Sequence, residues 1–275
     1  MAGWRSLSER TSGKPAGVLY EGVPEHLAPS LIYYLQGLFG YRTRPRNGIS
    51  AMQDGLMFNV AVRARIPVKV GVDGSQLMNS ILDTCLSDED KFLDVVDAAL
   101  SIKPDRSLDR VLLEAGSAWT VSPDGNSLLR RVDATAQAQF AAASQPSDDA
   151  ARELSEAWAQ AYGRTPDPSD AWDHAIKAVE AALWPLVIPN NPKATLGSIE
   201  KAIEAKPSKW NFAIPSNSIG GVETLHALLK LMWPNPDRHT TGATRPPTQQ
   251  EAEGVVQIAV LIVQWARGNV LTPAP

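Results

Sequence analysis

The segment from Trp233 to Gly242, WPNPDRHTTG, concentrates side chains that could act on a phosphodiester. Asn235, Asp237, Arg238 and His239 fall within five consecutive residues. A neutral imidazole can take a proton from a ribose 2′-hydroxyl, and a guanidinium can hold a phosphate. Arg238 and His239 are therefore candidate catalytic residues, and Asn235 and Asp237 are candidate binding residues. The alternative is an ordinary polar turn in which Asn235 and Asp237 act as capping groups.

A second candidate contact for nucleic acid is a short basic cluster. The sequence YRTRPRNG places Arg42, Arg44 and Arg46 on alternate positions. Guanidinium groups bind phosphate, so the three side chains are candidate RNA-binding residues. The alternative is a solvent-exposed loop, because Pro45 and Gly48 favour irregular backbone.

Other motifs do not indicate a cofactor or a metal ion. The chain has no GxxxxGK[ST], HExxH or GxSxG motif, and its four histidines are not paired at metal-ligand spacing. We therefore expect no cofactor and no metal ligand. His174 and His226 lie beside apolar stripes and are expected to be structural. Cys85 lies on such a stripe and is expected to fill the core.

Length and composition limit the class of protein. A chain of 275 residues, 44% of them hydrophobic, is long enough for one large or two modest domains. It has one cysteine, no apolar run that could cross a bilayer, and no apolar signal segment near residue 1. We therefore expect a soluble, cytoplasmic protein with no membrane partner.

The net charge of −4 hides an uneven distribution. Residues 1–75 hold nine basic and five acidic residues, residues 76–180 hold nine and nineteen, and residues 181–275 hold eight and six. The acidic middle argues against a nucleic-acid surface along the whole chain. A local basic surface is still compatible with this distribution.

The small, polar stretch Ser144–Asp148 predicts a boundary between an N-terminal domain, residues 1–147, and a C-terminal domain, residues 148–275. In the first domain, Pro123-Asp124-Gly125-Asn126 between two short apolar runs predicts a β-hairpin over residues 116–132, with little other sheet. Apolar periodicity predicts helices over residues 24–39, 75–85 and 134–143, and a further helix capped by Ser87. Residues 50–64 fit either a helix or a strand.

The C-terminal domain is predicted to be a helical bundle. Capping signals at Asp167-Pro168, Thr195 and Thr248 mark the starts of three of its helices. The last helix is apolar on nearly every side, so we expect it at the centre, with Ile258, Leu261 and Ile262 buried. Six of the eight tryptophans fall in this half. We expect them to pack in the core, the alternative being a platform for stacked bases.

Several C-terminal motifs occur in the order of a known family. The stretch ELSEAWAQAYGRTPDPSDAWDHAIKAVEAAL is followed by NPKATLGSIEKAI, by LLKLMWPNPDRH and by the last apolar helix. Together, over about residues 148–268, they resemble the abortive-infection C-terminal-like family. That family belongs to the HEPN group of helical bundles found in bacterial and prophage defence proteins. Residues 1–147 resemble the N-terminal part of actinobacterial proteins with this architecture.

The resemblance implies that the C-terminal helical bundle is HEPN-like. Together with the patterns above, it predicts a mostly α fold in which this bundle is preceded by a helical N-terminal domain with one small β-hairpin. HEPN ribonucleases use an Arg and a downstream His, usually paired across a dimer. The resemblance therefore implies a homo-oligomer that needs no metal. Arg238 and His239 match these residue types, but they are adjacent, whereas the family separates them by several residues.

Two functions from different classes follow. The first is a phage-defence effector that binds RNA and acts as a metal-independent endoribonuclease. The second is a non-catalytic interaction protein whose C-terminal bundle dimerises and whose N-terminal half recognises a phage or host protein. An exposed Arg238–His239 pair in a basic groove would favour the first function. Burial of the pair against Asp237 or Asn235 would favour the second.

Overall fold

The computed structural model describes residues 19–40, 53–69, 71–145, 147–214, 220–236 and 245–274. In these ranges the protein has eleven α-helices and two small antiparallel sheets, which confirms the mostly α class. The chain divides into two compact units, Met1–Arg131 and Val132–Pro275. None of the described helices combines the length and the apolar character that a bilayer span requires.

The N-terminal unit is built around one central helix. Its described helices are α1 (Ala28–Leu38), α2 (Asp54–Arg63), α3 (Gly74–Ser87), α4 (Glu89–Ile102) and α5 (Leu108–Glu114). Helix α4 packs against α1, α2 and α3, and its buried side chains include Phe92 and Val96. Cys85 of α3 is 2% exposed, which confirms that it belongs to the core.

One detail of these helices differs from the sequence predictions, and one alternative that the sequence left open is resolved. Helix α3 continues through Ser87, and the residue that caps α4 is Asp88, whose carboxylate accepts a 2.9 Å hydrogen bond from the Lys91 amide. The prediction of Ser87 as the cap is therefore wrong, because a carboxylate one residue later is in position to accept that bond. Residues 54–63 form a helix, and Val62, which the strand alternative would bury, is 74% exposed.

The predicted hairpin is confirmed. Strands β1 (Trp119–Val121) and β2 (Leu128–Arg130) pair antiparallel, with Thr120 opposite Leu129. In the turn, the Ser122 hydroxyl donates a 2.6 Å hydrogen bond to Asp124, and Gly125 adopts a φ of 82°. Glycine accepts this left-handed conformation without the steric cost that a β-carbon would add.

The C-terminal unit is a helical bundle, as predicted. Its helices are α6 (Ala134–Ala143), α7 (Asp149–Tyr162), α8 (Pro168–Val187), α9 (Leu196–Ala205), α10 (Gly221–Met232) and α11 (Gln249–Arg267). Helix α11 packs against α6, α7, α8 and α10, so the last helix lies at the centre. Ile262 is fully buried, but Leu261 is 37% exposed, so the expectation that Leu261 is buried is wrong. It continues a narrow exposed strip with Gly254 and Gln257.

Helix α6 packs within the C-terminal unit. Phe140 of α6 stacks on Trp158 of α7, with ring centroids 4.2 Å apart, and Trp158 also contacts Tyr162 at 4.5 Å. This packing explains why the compact units meet at residues 131 and 132, whereas the linker composition predicts a boundary at 147. Trp158 is 1% exposed and Trp172 7% exposed, which confirms that both belong to the core.

A second sheet joins distant parts of the C-terminal unit. A 3₁₀ turn at Pro207–Lys209 leads into strand β3 (Trp210–Phe212), which pairs antiparallel with β4 (Leu271–Pro273). Phe212 opposes Leu271 and also makes an edge-on contact with Trp265 of α11, at 5.2 Å between ring centroids. Two three-residue strands far apart in the chain carry no turn signal between them, so the sequence does not predict this pair.

Candidate functional site

Most of the side chains predicted to act on RNA lie outside the described residues. These are Asp237, Arg238, His239, Arg42, Arg44 and Arg46. Asn235 is described, and so are both ends of the chain that flank residues 237–244. The structure therefore shows how the chain is held on each side of residues 237–244.

At the beginning of the segment, Asn235 is bound to α8. It is 2% exposed, and its side-chain amide donates a 2.6 Å hydrogen bond to the carboxylate of Asp173. A buried amide that donates to a carboxylate fixes the local chain, because loss of that bond would leave buried polar groups unsatisfied. Asn235 therefore has a structural contact within the bundle.

The residues before Asn235 are held by the same helices. The indole nitrogen of Trp172 donates a 2.8 Å hydrogen bond to the carbonyl oxygen of Met232, the last residue of α10. Gly197 of α9 lies against the ring of Trp233, so closely that a β-carbon there would come within 2.9 Å of the indole nitrogen. A side chain at residue 197 would therefore displace Trp233.

At the other end of the segment, Arg245 is bound to the first turn of α11. Its guanidinium donates two hydrogen bonds to Glu251, of 2.7 and 2.5 Å. Glu251 also closes a capping box with Thr248. The hydrogen bond from Arg245, followed by that from the Thr248 amide, lowers the pKa of the Glu251 carboxyl to about 2.

Both ends of the segment lie at one end of the bundle. The side chain of Gln249, the first residue of α11, donates to the carbonyl oxygen of Ala161 near the end of α7. Helix α8 starts a few residues later at Pro168, and Asp173 lies in its second turn. Asn235 and Arg245, on either side of residues 237–244, thus lie beside the N-termini of α8 and α11.

Two described histidines of the C-terminal unit contact carboxylates, in different geometries. The Nδ1 atom of His174 lies 2.7 Å from Glu153, and its Nε2 atom lies 3.6 Å from Asp170. The two carboxylates of this group therefore face opposite nitrogens of the ring. This arrangement orients the imidazole between α7 and α8, in agreement with the structural role predicted for His174.

His226 of α10 has both of its carboxylate neighbours at one ring nitrogen. Its Nε2 atom lies 2.5 Å from Glu200 and 4.0 Å from Glu204, both on α9. These three side chains can offer ligand atoms that lie within 4.8 Å of one another. The sequence analysis predicts no metal ligand, because the four histidines are not paired with one another at metal-ligand spacing. The four-residue spacing of Glu200 and Glu204 was the available signal, because it places them on one helix face.

The N-terminal unit contains a cleft of about 780 Å³ between α1 and the start of α5. Tyr33, Tyr34, Pro29 and Pro104 form much of its wall. The hydroxyl of Tyr34 is buried and has no hydrogen-bond partner among the described residues. We call this feature the α1 cleft. Its volume lies in the range of about 300–1,000 Å³ that is typical of ligand sites.

The candidate sites described above are inferred from the residues of this chain alone. The resemblance to the abortive-infection C-terminal-like family remains a prediction from the motifs quoted above. No family model matches the chain, and no curated protein or solved structure matches it either.

Proposed function

We propose that the C-terminal unit binds RNA through the segment between Asn235 and Arg245, as an effector of phage defence. Arg238 is assigned to phosphate binding and His239 to proton transfer at the ribose 2′-hydroxyl. The observation that supports this proposal is the attachment of both ends of the segment to one end of the bundle. Fixed ends reduce the conformational entropy that the intervening side chains lose when they bind a ligand.

Carboxylates already occupy the helix starts beside the segment. The N-termini of α8 and α11 lie at this end, but the Asp167 carboxylate accepts hydrogen bonds from the Ser169 and Asp170 amides at the start of α8. Phosphate binding is therefore assigned to Arg238 and not to the helix ends. The nearby carboxylate of Glu251 is paired with Arg245, which offsets its repulsion of phosphate. Asn235 is not part of the proposed RNA contact, because its amide is engaged by Asp173.

Arg238→Ala and His239→Ala are expected to separate binding from cleavage. Without the guanidinium, affinity for single-stranded RNA should fall on the order of tenfold. The slope of log affinity against log salt concentration should also become shallower, by about the contribution of one phosphate contact. Without the imidazole, affinity should change less than about twofold, while cleavage slows by about 10²–10⁴-fold. Fluorescence anisotropy and gel analysis of a labelled RNA, both in EDTA, measure the two effects.

Two controls make this test specific. Lys193→Ala removes an exposed positive charge from the same unit and should leave binding and cleavage unchanged. An RNA with a single 2′-deoxy nucleotide at the cleaved position should still bind but should remain intact. The proposal is wrong if RNA does not bind, or if Lys193→Ala and Arg238→Ala weaken binding equally. Binding without cleavage would reject the role of His239 and retain that of Arg238.

A second function is favoured by the α1 cleft. We propose that this cleft receives an apolar side chain of a partner protein, which packs against Pro29, Tyr33 and Pro104. The apolar part of the wall buries this side chain away from water, and that burial favours binding. This function does not depend on RNA binding by the C-terminal unit.

Ser30→Arg is expected to block the α1 cleft, because Ser30 is an exposed residue of its wall. Gln36→Arg adds the same side chain to α1 at a position outside the wall and serves as the matched control. Proteins that copurify from phage-infected and uninfected bacteria should include one that Ser30→Arg loses at least about tenfold and Gln36→Arg retains. Identical sets of proteins for both variants would contradict a role for the cleft.

A further inference from the structure

We propose that Glu200, Glu204 and His226 form a binding site for one divalent transition-metal ion of the Zn²⁺ class. We call these residues the Glu–Glu–His cluster. The ion would link α9 to α10, the helix that leads to Trp233 and Asn235. This site is separate from the residues assigned to RNA, and the proposal does not depend on the RNA-binding function.

The first argument is the direction of the ligand atoms. Glu200 and Glu204 are four residues apart on α9 and therefore share one face of that helix. Both face the Nε2 atom of His226, at 2.5 and 4.0 Å. Three potential ligand atoms thus surround one point, and they come from two helices that pack against each other.

The His174 group shows why this direction matters. It also combines one histidine with two carboxylates, but Glu153 faces Nδ1 and Asp170 faces Nε2. The two nitrogens of an imidazole point away from each other, so one ion cannot contact the ring nitrogen and both carboxylates. Of these two groups among the described residues, the Glu–Glu–His cluster is the one whose ligand atoms converge.

The second argument is the small movement that metal binding requires. Zinc ligands lie about 2.0–2.2 Å from the ion, so neighbouring ligand atoms in a tetrahedral site are about 3.4 Å apart. His226 and Glu200 must therefore separate slightly from 2.5 Å, and Glu204 must approach slightly from 4.0 Å. The Glu204 side chain is 60% exposed and can make this movement through changes in its rotamer.

The third argument is the charge and support of the cluster. Two carboxylates and a neutral imidazole balance the charge of a divalent cation, and this donor set suits Zn²⁺ and its neighbours. The side chains of Glu200 and His226 are only 12% and 18% exposed, so α9 and α10 hold them in place. The start of α9 is itself fixed by a 2.6 Å hydrogen bond from the Leu196 amide to Glu180 of α8. Three protein ligands leave a fourth position for water.

Zinc titration of the EDTA-treated, dialysed full chain tests the proposal. We expect isothermal titration calorimetry to detect one Zn²⁺ per chain, and the melting temperature to rise by roughly 5 °C at saturating Zn²⁺. Glu204→Gln should weaken Zn²⁺ binding at least about tenfold. Its melting temperature without metal should match that of the wild type, because the exposed Glu204 contributes little to the metal-free fold.

Matched variants decide the location of the ion. Asp170→Asn changes the corresponding carboxylate of the His174 group and should leave the Zn²⁺ affinity unchanged. His239→Ala tests the remaining candidate histidine of this unit and should also leave it unchanged. The proposal is overturned if Glu204→Gln binds Zn²⁺ like the wild type, if no Zn²⁺ binds, or if either control variant loses binding. Binding of RNA by Glu204→Gln at wild-type affinity would show that the two sites are independent.

Discussion

Replacement of Ile262 by alanine is expected to lower the free energy of unfolding by about 2–5 kcal/mol. Ile262 is fully buried in α11, which packs against four other helices of the C-terminal unit. The truncated side chain would leave a cavity that the surrounding helices cannot close completely, because each is also held by its other neighbours. Urea denaturation followed by circular dichroism measures the change.

The adjacent residue supplies the control for this prediction. Leu261 has similar size and lies on the same helix, but it is 37% exposed on the strip shared with Gly254 and Gln257. Leu261→Ala should therefore cost less than about 1 kcal/mol. Equal losses at residues 261 and 262 would contradict the orientation of α11 in the bundle.

The N-terminal unit is expected to lose stability steeply as the pH rises above 9. Burial raises the pKa of the Cys85 thiol from 9.0 to about 12. Burial, and then the negative charge of Asp105, raise the pKa of Tyr34 from 10.0 to about 12. Both groups thus keep their protons in the folded state at a pH where the unfolded chain has released them.

The sign of the effect follows from this difference in bound protons. Below pH 9 the Cys85 thiol is protonated in the folded and in the unfolded state, so its burial contributes fully to the stability of the fold. As the pH rises from 9 towards 12, the unfolded state is favoured by up to about 1.4 kcal/mol per pH unit. For Cys85 the part of this loss that falls between pH 9 and 11 is on the order of 2–3 kcal/mol, and denaturant unfolding between pH 7 and 11 measures it.

Two variants separate the contributions of these groups. Cys85→Ala should remove the loss of stability that begins at pH 9. The small cavity that it leaves should lower the free energy of unfolding by the same amount at every pH. Tyr34→Phe should change stability little at pH 7, because the hydroxyl has no partner among the described residues, and should reduce the loss above pH 10. If Cys85→Ala and the wild type lose stability in parallel from pH 9 to 10, the thiol is not responsible.

Local signals predicted the parts of the fold whose determinants are close together in the sequence. The Pro-Asp-Gly-Asn turn places the hairpin correctly, and the capping box at Thr248 places the start of α11. Helix α6 has the predicted bounds. In each case a few adjacent residues decide the backbone conformation, so no distant contact is needed to recognise it.

Features that depend on distant partners were not predictable in the same way. Residues 210–212 form a strand because they pair with residues 271–273, and Leu261 is exposed because none of the described helices covers that strip of α11. The convergence of Glu200 and Glu204 on His226 likewise depends on how α9 packs against α10. Periodicity indicates which face of a helix is apolar, but it does not show which partner covers each part of that face.

The β3–β4 sheet also has a consequence for the order of folding. Its two strands close a loop that contains residues 213–270, and therefore α10, α11 and the candidate RNA segment. Closing a flexible loop of this length costs on the order of 3–4 kcal/mol in chain entropy, which three paired residues on each strand cannot offset alone. Packing of α10 and α11 shortens the effective loop, so we expect the sheet to form after these helices have packed. In the folded chain the sheet then holds residues 271–273 against β3, so the chain beyond α11 becomes part of the unit that carries the candidate RNA segment and the Glu–Glu–His cluster.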